Sequence, residues 1–578
     1  MLKLYGIQVS NGIAIGKARF LEEKEVLVSE QRITIQEIPE HLERFRKCLE
    51  FLMQDIDHYL QNFSISPEDE AIIETHKMII NDPEFHLRVE YLIQHEQKNI
   101  EHAIYTHFTK TINYFKTLEN ELYADRAIDY EDVLHRLLDY LQNTEDNSFA
   151  ELETSEILVS NDLSPSKVTL LMNKKIAGII LFKGSKTSHS VIIARACNIP
   201  IITGVKAKHK IHTGDNLILD ASNGYVFIQP TEELQHYYLQ QLQENIQKTI
   251  HLAKFKEQNS CTGDYEQLQI FANIELPLEI NKVMEVNADG IGLFRTEFFY
   301  MNRNTPPKEE EQFLEYQKIA SELKGKPFVI RTIDMGGDKI GGWYSPNREE
   351  NPSLGCRGIR FSLQNKKIFI PQLRAILRAS AYGKIALMFP MVSGVEEFIE
   401  AKNQVILCQQ ALKKENIRFD RQIKIGTMIE IPSAALGSAT LAKYCDFFSI
   451  GTNDLLQYTI AIDRNNEKLA TQYNPYNPAF LQLVLLTIKN AKKHRIPITI
   501  CGEIASDPNF IPFLLSAGVR QLSMNVEHIL SIKKLVRSIE AKKTASFVDE
   551  LKKCSTTRET EILLKKISNL GVVDLNFT

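Results

Sequence analysis

The spacing of apolar residues changes twice along the chain, and its first part is helical. There the apolar residues recur at steps of three and four, which predicts amphipathic helices. In the first segment they are Leu42, Phe45, Leu49, Leu52, Ile56 and Tyr59. Further segments with this spacing cover 67–80, 83–95, 99–118 and 121–142. Pro67 and Pro83 lie where helices are expected to begin. We therefore predict an all-helical unit over residues 25–145, arranged as two long hairpins.

From residue 156 the apolar residues form short continuous runs between glycine turns, which is typical of buried strands. These runs cover 157–159, 177–181, 199–202 and 217–220. Residues 1–22 have the same texture, with glycines at positions 6, 12 and 16. We therefore predict one α/β domain built from 1–24 and 146–230, with the helical unit inserted into it. A polar helix within 231–261 is predicted to link this domain to the rest of the chain.

Residues 262–578 show a third pattern, in which apolar strand-like runs alternate with helical segments. Eight such units over this length predict a (β/α)₈ TIM-type barrel with insertions. The predicted strands cover 268–274, 290–296, 327–333, 384–391, 423–430, 446–451, 497–501 and 520–524. The fold class is therefore multidomain α/β: a small α/β domain with an inserted helical bundle, followed by the barrel.

Composition narrows the class of protein. With 578 residues the chain is expected to form three or four domains, and a hydrophobic content of 43% allows large cores. A net charge of −5 gives no basic footprint for nucleic acid or an anionic membrane. We expect no membrane insertion and no signal peptide, because no apolar run is long enough. Eight cysteines without a CxxC pair fit a reducing cytoplasm.

Polar residues follow the predicted barrel strands at their carboxyl ends, where barrel enzymes place their chemistry. They are Arg295, Arg331, Glu430, Asn453, Asp454 and Cys501, with Arg464 in a nearby loop. Three arginines suit a small anion that carries phosphate and carboxylate groups. The two acids offer oxygen ligands that Mg²⁺ prefers, and the cysteine is a candidate proton donor. Taken singly, each arginine or acid fits a structural salt bridge better than a functional site, and the thiol fits a buried core equally well. Their convergence on one face favours a site.

A single histidine lies in a loop of small residues ahead of an apolar helical run, at Gly184–Arg195. Thr187 or Ser188 can cap this helix, which places His189 in the first turn. Free N–H groups and the helix dipole stabilise a dianionic group at such a position. An imidazole there can accept a phosphoryl group. A capped helix with an inert surface histidine is the alternative that the local sequence leaves open.

Taken together, these motifs resemble enzyme I of the bacterial sugar phosphotransferase system, the phosphoenolpyruvate–protein phosphotransferases. The similarity runs almost end to end, in the family's domain order. The matching segments are KTSHSVIIAR, GIGLFRTEFFYMNR, RTIDMGGDK, EENPSLGCRGIR, MFPM, MIEIPSA, DFFSIGTNDLLQYTIAIDRNN and CGEIA. The combination is far more specific than any one motif.

The resemblance implies a role for each residue. His189 carries the phosphoryl group, and the α/β domain that holds it is a phosphohistidine domain. Glu430 and Asp454 bind Mg²⁺, and Cys501 protonates the pyruvate enolate. The residues implied to contact phosphoenolpyruvate are Arg295, Arg331, Asn453, Asp454 and Arg464, with Arg357 helping at the same face. The helical unit is implied to dock the phosphocarrier protein HPr, and the barrel to form a homodimer.

The sequence departs from the family's pattern in places. The loop before the histidine reads Phe182–Thr187, without the family's usual acid and second glycine; Cys356, Leu456 and Asn525 replace a usual tryptophan, threonine and serine. These departures bear on rate and partner preference more than on reaction type.

Three other interpretations compete with this resemblance. A pyruvate phosphate dikinase or phosphoenolpyruvate synthase needs an ATP-binding domain and a glycine-rich phosphate loop, for which we find neither room nor motif. The nitrogen-type paralogue carries an added sensory domain, which we do not expect here. A scaffold that has lost turnover is supported only by the altered loop.

Overall fold

The computed structural model describes most of the chain. The described residues are 1–20, 28–30, 32–62, 75–117, 127, 130–131, 133–134, 136–138, 140–141, 155–160, 176–182, 199–206, 210–300, 305–336, 351–464, 466, 469–540, 542 and 547–571. They form two compact units, Met1–Asn245 and Ile246–Thr578. In these ranges no helix is long and apolar enough to cross a membrane.

The first unit contains one eight-stranded mixed sheet. Its strands are β1 (Leu2–Tyr5), β2 (Ile7–Gln8), β3 (Ile13–Phe20), β4 (Glu156–Ser160), β5 (Gly178–Leu181), β6 (Ile201–Thr203), β7 (Asn216–Asp220) and β8 (Tyr225–Ile228). Their order is β1-β8-β7-β3-β4-β5-β6-β2. β3 pairs in parallel with β4, from Lys17 opposite Glu156 to Phe20 opposite Val159. The strands of residues 1–20 therefore form one sheet with strands that begin after residue 155. The sequence predicts this, because both segments consist of short apolar runs between glycines.

The two edge strands of this sheet are joined by a single residue, Gly6. The sheet must therefore curl until its edges meet. A Cβ at Gly6 would lie 2.3 Å from Cγ2 of Ile202 and 2.8 Å from the carbonyl oxygen of Thr203. Because only glycine lacks that atom, the close approach of the edges depends on it.

Between β3 and β4 the longer described segments, 32–62 and 75–117, are mainly helical. The helices are α1 (Ile38–Asn62), α2 (Pro83–Glu96) and α3 (Ile100–Thr117), and residues 75–80 are also helical. Asp82 caps α2 by accepting a hydrogen bond from the backbone N–H of Glu84, with Pro83 at the first position. Phe45, Phe85 and Phe108, one from each helix, meet in a separate apolar core. The predicted helical pattern is confirmed in these segments.

A polar helix, α4 (Glu232–Ala253), follows the last strand of the sheet. Most of its residues are exposed, but Tyr238 is only 7% exposed. The Tyr238 hydroxyl donates a hydrogen bond of 2.8 Å to Oδ2 of Asp220 at the end of β7. Its ring packs 5.7 Å from that of Phe227 on β8. Tyr238 therefore attaches the start of α4 to the sheet, and Leu234 packs against the same cluster.

The second unit contains a closed parallel barrel, which confirms the predicted architecture. Its strands are β9 (Gln269–Ile274), β10 (Ile291–Arg295), β11 (Phe328–Arg331), β12 (Ile385–Phe389), β13 (Lys424–Ile429), β14 (Phe448–Ile450), β15 (Ile498–Ile500) and β16 (Gln521–Asn525). Each strand pairs with the next, and β16 pairs with β9 from Gln521 opposite Gln269 to Asn525 opposite Asn273. Seven strands lie inside their predicted segments, and β16 ends one residue beyond its segment.

Helices follow every strand and cover the barrel. They are α5 (Ile280–Glu285), α6 (Glu309–Glu322), α7 (Gly358–Gln364), α8 (Lys366–Ala379), α9 (Val395–Lys414), α10 (Pro432–Leu436), α11 (Ser438–Leu441), α12 (Thr452–Ile460), α13 (Pro478–His494), α14 (Ile511–Ser516), α15 (Val526–Ser538), α16 (Phe547–Leu551) and α17 (Thr557–Gly571). Strand and helix side chains share one large apolar core. Because both faces of a parallel strand are buried, the strands read as continuous apolar runs.

Replacing Tyr238 with phenylalanine is expected to lower the free energy of unfolding of the first unit by about 1–2 kcal/mol, because a buried carboxylate loses a donor. Burial, then Asp220, raise the pKa of Tyr238, so its contribution is complete below about pH 10 and falls as the pH rises further. Urea unfolding measures this, with the neighbouring Tyr237→Phe as control, since Tyr237 is 55% exposed. If both variants lowered the free energy of unfolding equally, the stabilising role of the hydrogen bond from Tyr238 to Asp220 would be contradicted.

Candidate active site

The carboxyl end of the barrel carries the predicted polar residues of the second unit. Arg295 and Arg331 are the last residues of β10 and β11, and Glu430 directly follows β13. Asn453 and Asp454 lie in the first turn of α12, after β14, and Cys501 follows β15. Since all eight strands are parallel, these residues lie on one rim.

Five charged residues at this rim form a row of alternating sign: Glu297, Arg331, Asp334, Arg357 and Asp454. We call it the rim charge row. Nη2 of Arg331 lies 2.8 Å from Oε1 of Glu297, and its Nη1 lies 3.2 Å from Oδ2 of Asp334. Nη1 of Arg357 lies 3.9 Å from Oδ1 of Asp454. The side chains are 4–17% exposed, so each charge depends on its neighbours rather than on water.

The other two predicted arginines lie nearer to solvent. Arg295 is paired with Glu275, and its side chain is 38% exposed. Arg464 is exposed in the loop after α12, where its backbone N–H donates to Oε1 of Gln457. The structure thus buries one predicted substrate arginine, Arg331, and leaves two more accessible.

Glu430 is fully buried, and its carboxylate is held from the backbone. Its Oε1 accepts a hydrogen bond of 2.6 Å from the N–H of Met391. Met391 has a φ of +55°, a left-handed conformation that costs a non-glycine residue about 1–2 kcal/mol. Burial raises the pKa of Glu430, with Asp334 and Asp454 adding to the effect, whereas Arg331 opposes it. A cation at this carboxylate would restore its charged form.

The two acids have oxygens that suit a metal ion. Oε2 of Glu430 and Oδ1 of Asp454 are buried and have no hydrogen-bond partner among the described residues. The described part of the chain contains no group of three or more histidine, cysteine or acidic side chains placed to hold an ion. A pair of carboxylates that leaves the remaining positions to water and substrate is the arrangement that Mg²⁺ prefers. The residues present fit that ion.

Asn453 is fixed by bonds from two other segments. Its Nδ2 donates to Oε1 of Glu503 at 2.9 Å, and its Oδ1 accepts from the N–H of Glu503 at 3.0 Å. The hydroxyl of Tyr473 donates to its carbonyl oxygen at 2.8 Å. These bonds tie the start of α12 to the loop that carries Cys501.

Cys501 is 3% exposed and packs against Leu293, Met388 and Met428. Its Sγ lies 3.2 Å from the carbonyl oxygen of Ile450, to which the thiol donates. Burial raises the pKa of this thiol to about 11, although the Arg331 and Arg295 charges lower it. The nearby guanidinium charges favour the thiolate, but desolvation outweighs them. Cys501 is therefore a neutral thiol that holds its proton at physiological pH.

His189 lies outside the described residues, which omit 183–198. The loop departures at 183–187 and the predicted helix cap lie in the same gap. The flanking strands β5 and β6 are buried in the amino-terminal sheet. The assignment of His189 thus remains a prediction from its motif.

Several residues at the rim escaped the sequence reasoning. Glu297 and Asp334 stand beside predicted arginines in their motifs and pair with Arg331. Their proximity to motif arginines is the signal that could have singled them out. Met391 and Tyr473 act through a backbone N–H and a hydroxyl and carry no such signal.

Comparison with known proteins decides the family. Three matches follow one another along the chain: "PEP-utilising enzyme, N-terminal" at 5–126, "PEP-utilising enzyme, mobile domain" at 152–224, and "PEP-utilising enzyme, PEP-binding domain" at 250–541. The phosphoenolpyruvate-protein phosphotransferase of Mycoplasma capricolum is 36% identical over 570 residues, covering 98% of this chain and 99% of that protein. The one of Priestia megaterium is also 36% identical, covering 98% of this chain and all of that protein.

The chain belongs to the phosphoenolpyruvate-protein phosphotransferase family. The resemblance read from the motifs is thereby confirmed. Among solved structures, that of an Enzyme I protein in solution is 28% identical, covering 42% of this chain and 99% of its own, with a TM-score of 0.35.

We predict that native Cys501 reacts with a neutral alkylating reagent at a rate that rises about tenfold per pH unit from pH 7 to 10. A pKa of about 11 leaves only about 0.1% thiolate at pH 8. Mass spectrometry of the peptide that carries Cys501 measures this rate. In the urea-unfolded protein the same peptide should level off near pH 8.5, the ordinary cysteine pKa. A native plateau as low as that of the unfolded protein would contradict the conclusion that burial raises the pKa of Cys501.

Proposed function

We propose that this chain transfers the phosphoryl group of phosphoenolpyruvate to its own His189, and then to a histidine of the phosphocarrier protein HPr, with release of pyruvate. This is the first general step of the sugar phosphotransferase system. The observation that carries the proposal is the relationship to phosphoenolpyruvate-protein phosphotransferases over 98% of the chain and nearly their whole length. The chemistry of the barrel rim supports it.

Binding of the trianionic substrate is assigned to the rim arginines. Arg295, Arg331 and Arg464 can each donate two parallel hydrogen bonds to phosphate or carboxylate oxygens. Asn453 and Asp454 lie at the start of α12, where backbone N–H groups also point outward. Because Arg331 is already desolvated and held by Glu297 and Asp334, it needs little reorganisation when charge develops on the transferring group.

Glu430 and Asp454 would hold a Mg²⁺ ion through their two buried oxygens without hydrogen-bond partners. When bound, such an ion would neutralise negative charge on the substrate oxygens. The protein's part is to keep both carboxylates fixed, Glu430 by the Met391 N–H and Asp454 by its place in the first turn of α12. Membership of a family of enzymes that use phosphoenolpyruvate is consistent with a need for a divalent metal ion. Among divalent ions, Mg²⁺ suits a pair of carboxylates that leaves its other positions to water and substrate.

The reaction forms one bond to phosphorus and breaks another. A neutral nitrogen of His189 attacks phosphorus, and the bond from phosphorus to the enol oxygen breaks, leaving the enolate of pyruvate. The Cys501 thiol gives its proton to the methylene carbon of the enolate, which becomes the methyl group of pyruvate. The thiolate left behind takes a proton from solvent once pyruvate has gone, which restores the thiol. A thiol that is protonated at neutral pH suits this role.

The remaining assignments follow the family. The phosphohistidine domain comprises 1–24 and 146–230, the HPr-docking helical domain 25–145, the helical linker 231–261, and the barrel 262–578. HPr would dock on the helical domain, a homodimer would form through the barrel, and the protein would act in the cytoplasm. The order of elements along the chain supports these divisions.

Radioactive phosphoenolpyruvate with Mg²⁺ is expected to place acid-labile label on the wild-type chain and none on His189→Ala. Added HPr should then take the label from the wild type. His95→Ala is a matched control, because His95 is an exposed histidine of α2, and it should label normally. Label on His189→Ala would overturn the assigned acceptor, and no label on any variant would overturn the function.

Glu430→Gln is expected to weaken Mn²⁺ binding, used as a probe for Mg²⁺, by about 10- to 100-fold, because the site loses a charged ligand. Electron paramagnetic resonance of free Mn²⁺ measures the affinity. Glu503→Gln is the control, since this nearby carboxylate is exposed and holds Asn453 rather than an ion. Equal affinities of wild type and Glu430→Gln would exclude Glu430 as a ligand.

A further inference from the structure

Asp334 joins two arginines that come from different segments of the barrel. Its Oδ2 lies 3.2 Å from Nη1 of Arg331 at the end of β11 and 3.0 Å from Nη2 of Arg357. Its Oδ1 accepts a second hydrogen bond, of 3.3 Å, from Nε of Arg357. The backbone N–H of Asp334 donates to Glu297 at 2.7 Å, so the loop that carries it is held as well.

The chain around Arg357 is shaped to reach this carboxylate. The next residue, Gly358, has a φ of +57°, and a Cβ there would lie 2.7 Å from Cβ of Met391 and 3.1 Å from Oδ1 of Asp334. Only glycine combines that conformation with that contact. Arg357 also donates to the hydroxyl of Tyr458 at 3.3 Å. Three groups therefore hold the guanidinium group of Arg357: the carboxylate of Asp334, the hydroxyl of Tyr458 and the negative charge of Asp454.

The side chain of Asp334 is 4% exposed, while those of Arg331 and Arg357 are 9% and 15% exposed. A carboxylate so buried between two guanidinium groups fixes their separation, because neither can turn to water instead. A flexible surface pair would not have this effect. The geometry thus makes Asp334 the element that sets the distance between the two cations.

We propose that Asp334 is a positioning residue for phosphoryl transfer, which holds Arg331 and Arg357 at the spacing that the transferring group requires. This inference rests on the proposed function. Asp334 carries the same sign of charge as the substrate, so it opposes binding of phosphoenolpyruvate in the ground state. Its role is alignment, which matters most when charge shifts between oxygens during transfer.

This arrangement predicts opposite effects on binding and on rate. In Asp334→Asn the arginines keep their charges but lose the carboxylate that aligns them. The dissociation constant for phosphoenolpyruvate should stay within about threefold of wild type or become smaller, because a repulsive charge is gone. The rate of pyruvate formation in a single turnover should fall by about 10- to 100-fold, as expected for misplaced catalytic groups.

Two further variants separate alignment from charge and from stability. Asp334→Glu keeps the charge but lengthens the side chain, so it should slow transfer while leaving binding close to wild type. The added methylene group should lower thermal stability, because the position is closely packed. Glu309→Gln is the matched control. Glu309 also bridges two arginines, with Oε2 2.6 Å from Nε of Arg374 and Oε1 2.9 Å from Nη1 of Arg378, but on helices α6 and α8. Glu309→Gln should lower thermal stability without changing the binding of phosphoenolpyruvate or the rate of pyruvate formation.

Binding is measured by equilibrium dialysis of radioactive phosphoenolpyruvate with each variant in a His189→Ala background, where no label is transferred. Single-turnover pyruvate release and thermal unfolding are measured on the full chain with His189 present. Slow transfer with undiminished binding in Asp334→Asn and Asp334→Glu supports the inference. It is overturned if both variants transfer within about twofold of wild type, or if binding and rate fall in parallel. Should Asp334→Asn fail to fold, Asp334→Glu alone decides by the same criterion. If the wild type itself forms no pyruvate, the proposed function fails instead.

Discussion

The burial of charge at the barrel rim is the constraint on which the site depends. Arg331 and Asp334 are each 7% exposed, and isolated charges in such surroundings are strongly unfavourable. The rim charge row resolves this by placing a carboxylate between successive guanidinium groups. Because removing any member would strand its neighbours, the row behaves as one unit, and its geometry is fixed before a ligand arrives.

The barrel itself was readable from the sequence, since parallel strands buried on both faces appear as apolar runs. The polar residues that end those runs, such as Arg295 and Cys501, were readable for the same reason. Position along a strand fixes the end of the barrel on which a side chain lies, and a local pattern contains that information.

Pairing across the rim was not readable in this way. Asp334 meets Arg357, 23 positions away, and Met391 meets Glu430, 39 positions away. Such contacts depend on how loops from different strands meet, which no local spacing encodes. The protonation of Cys501 shows the same limit, because counting nearby cations ignores the desolvation that dominates its pKa.

The rim also retains features that weaken the barrel by themselves. Met391 holds a left-handed backbone, and Oε2 of Glu430 and Oδ1 of Asp454 are buried without hydrogen-bond partners in the described chain. Each is unfavourable by roughly 1–3 kcal/mol, so folding alone would select against all three. They persist because the surrounding strands and core over-determine the backbone at these positions. Under the proposed Mg²⁺ binding, both oxygens would gain a cationic partner. The stability that the barrel core supplies thus offsets the cost of these three features.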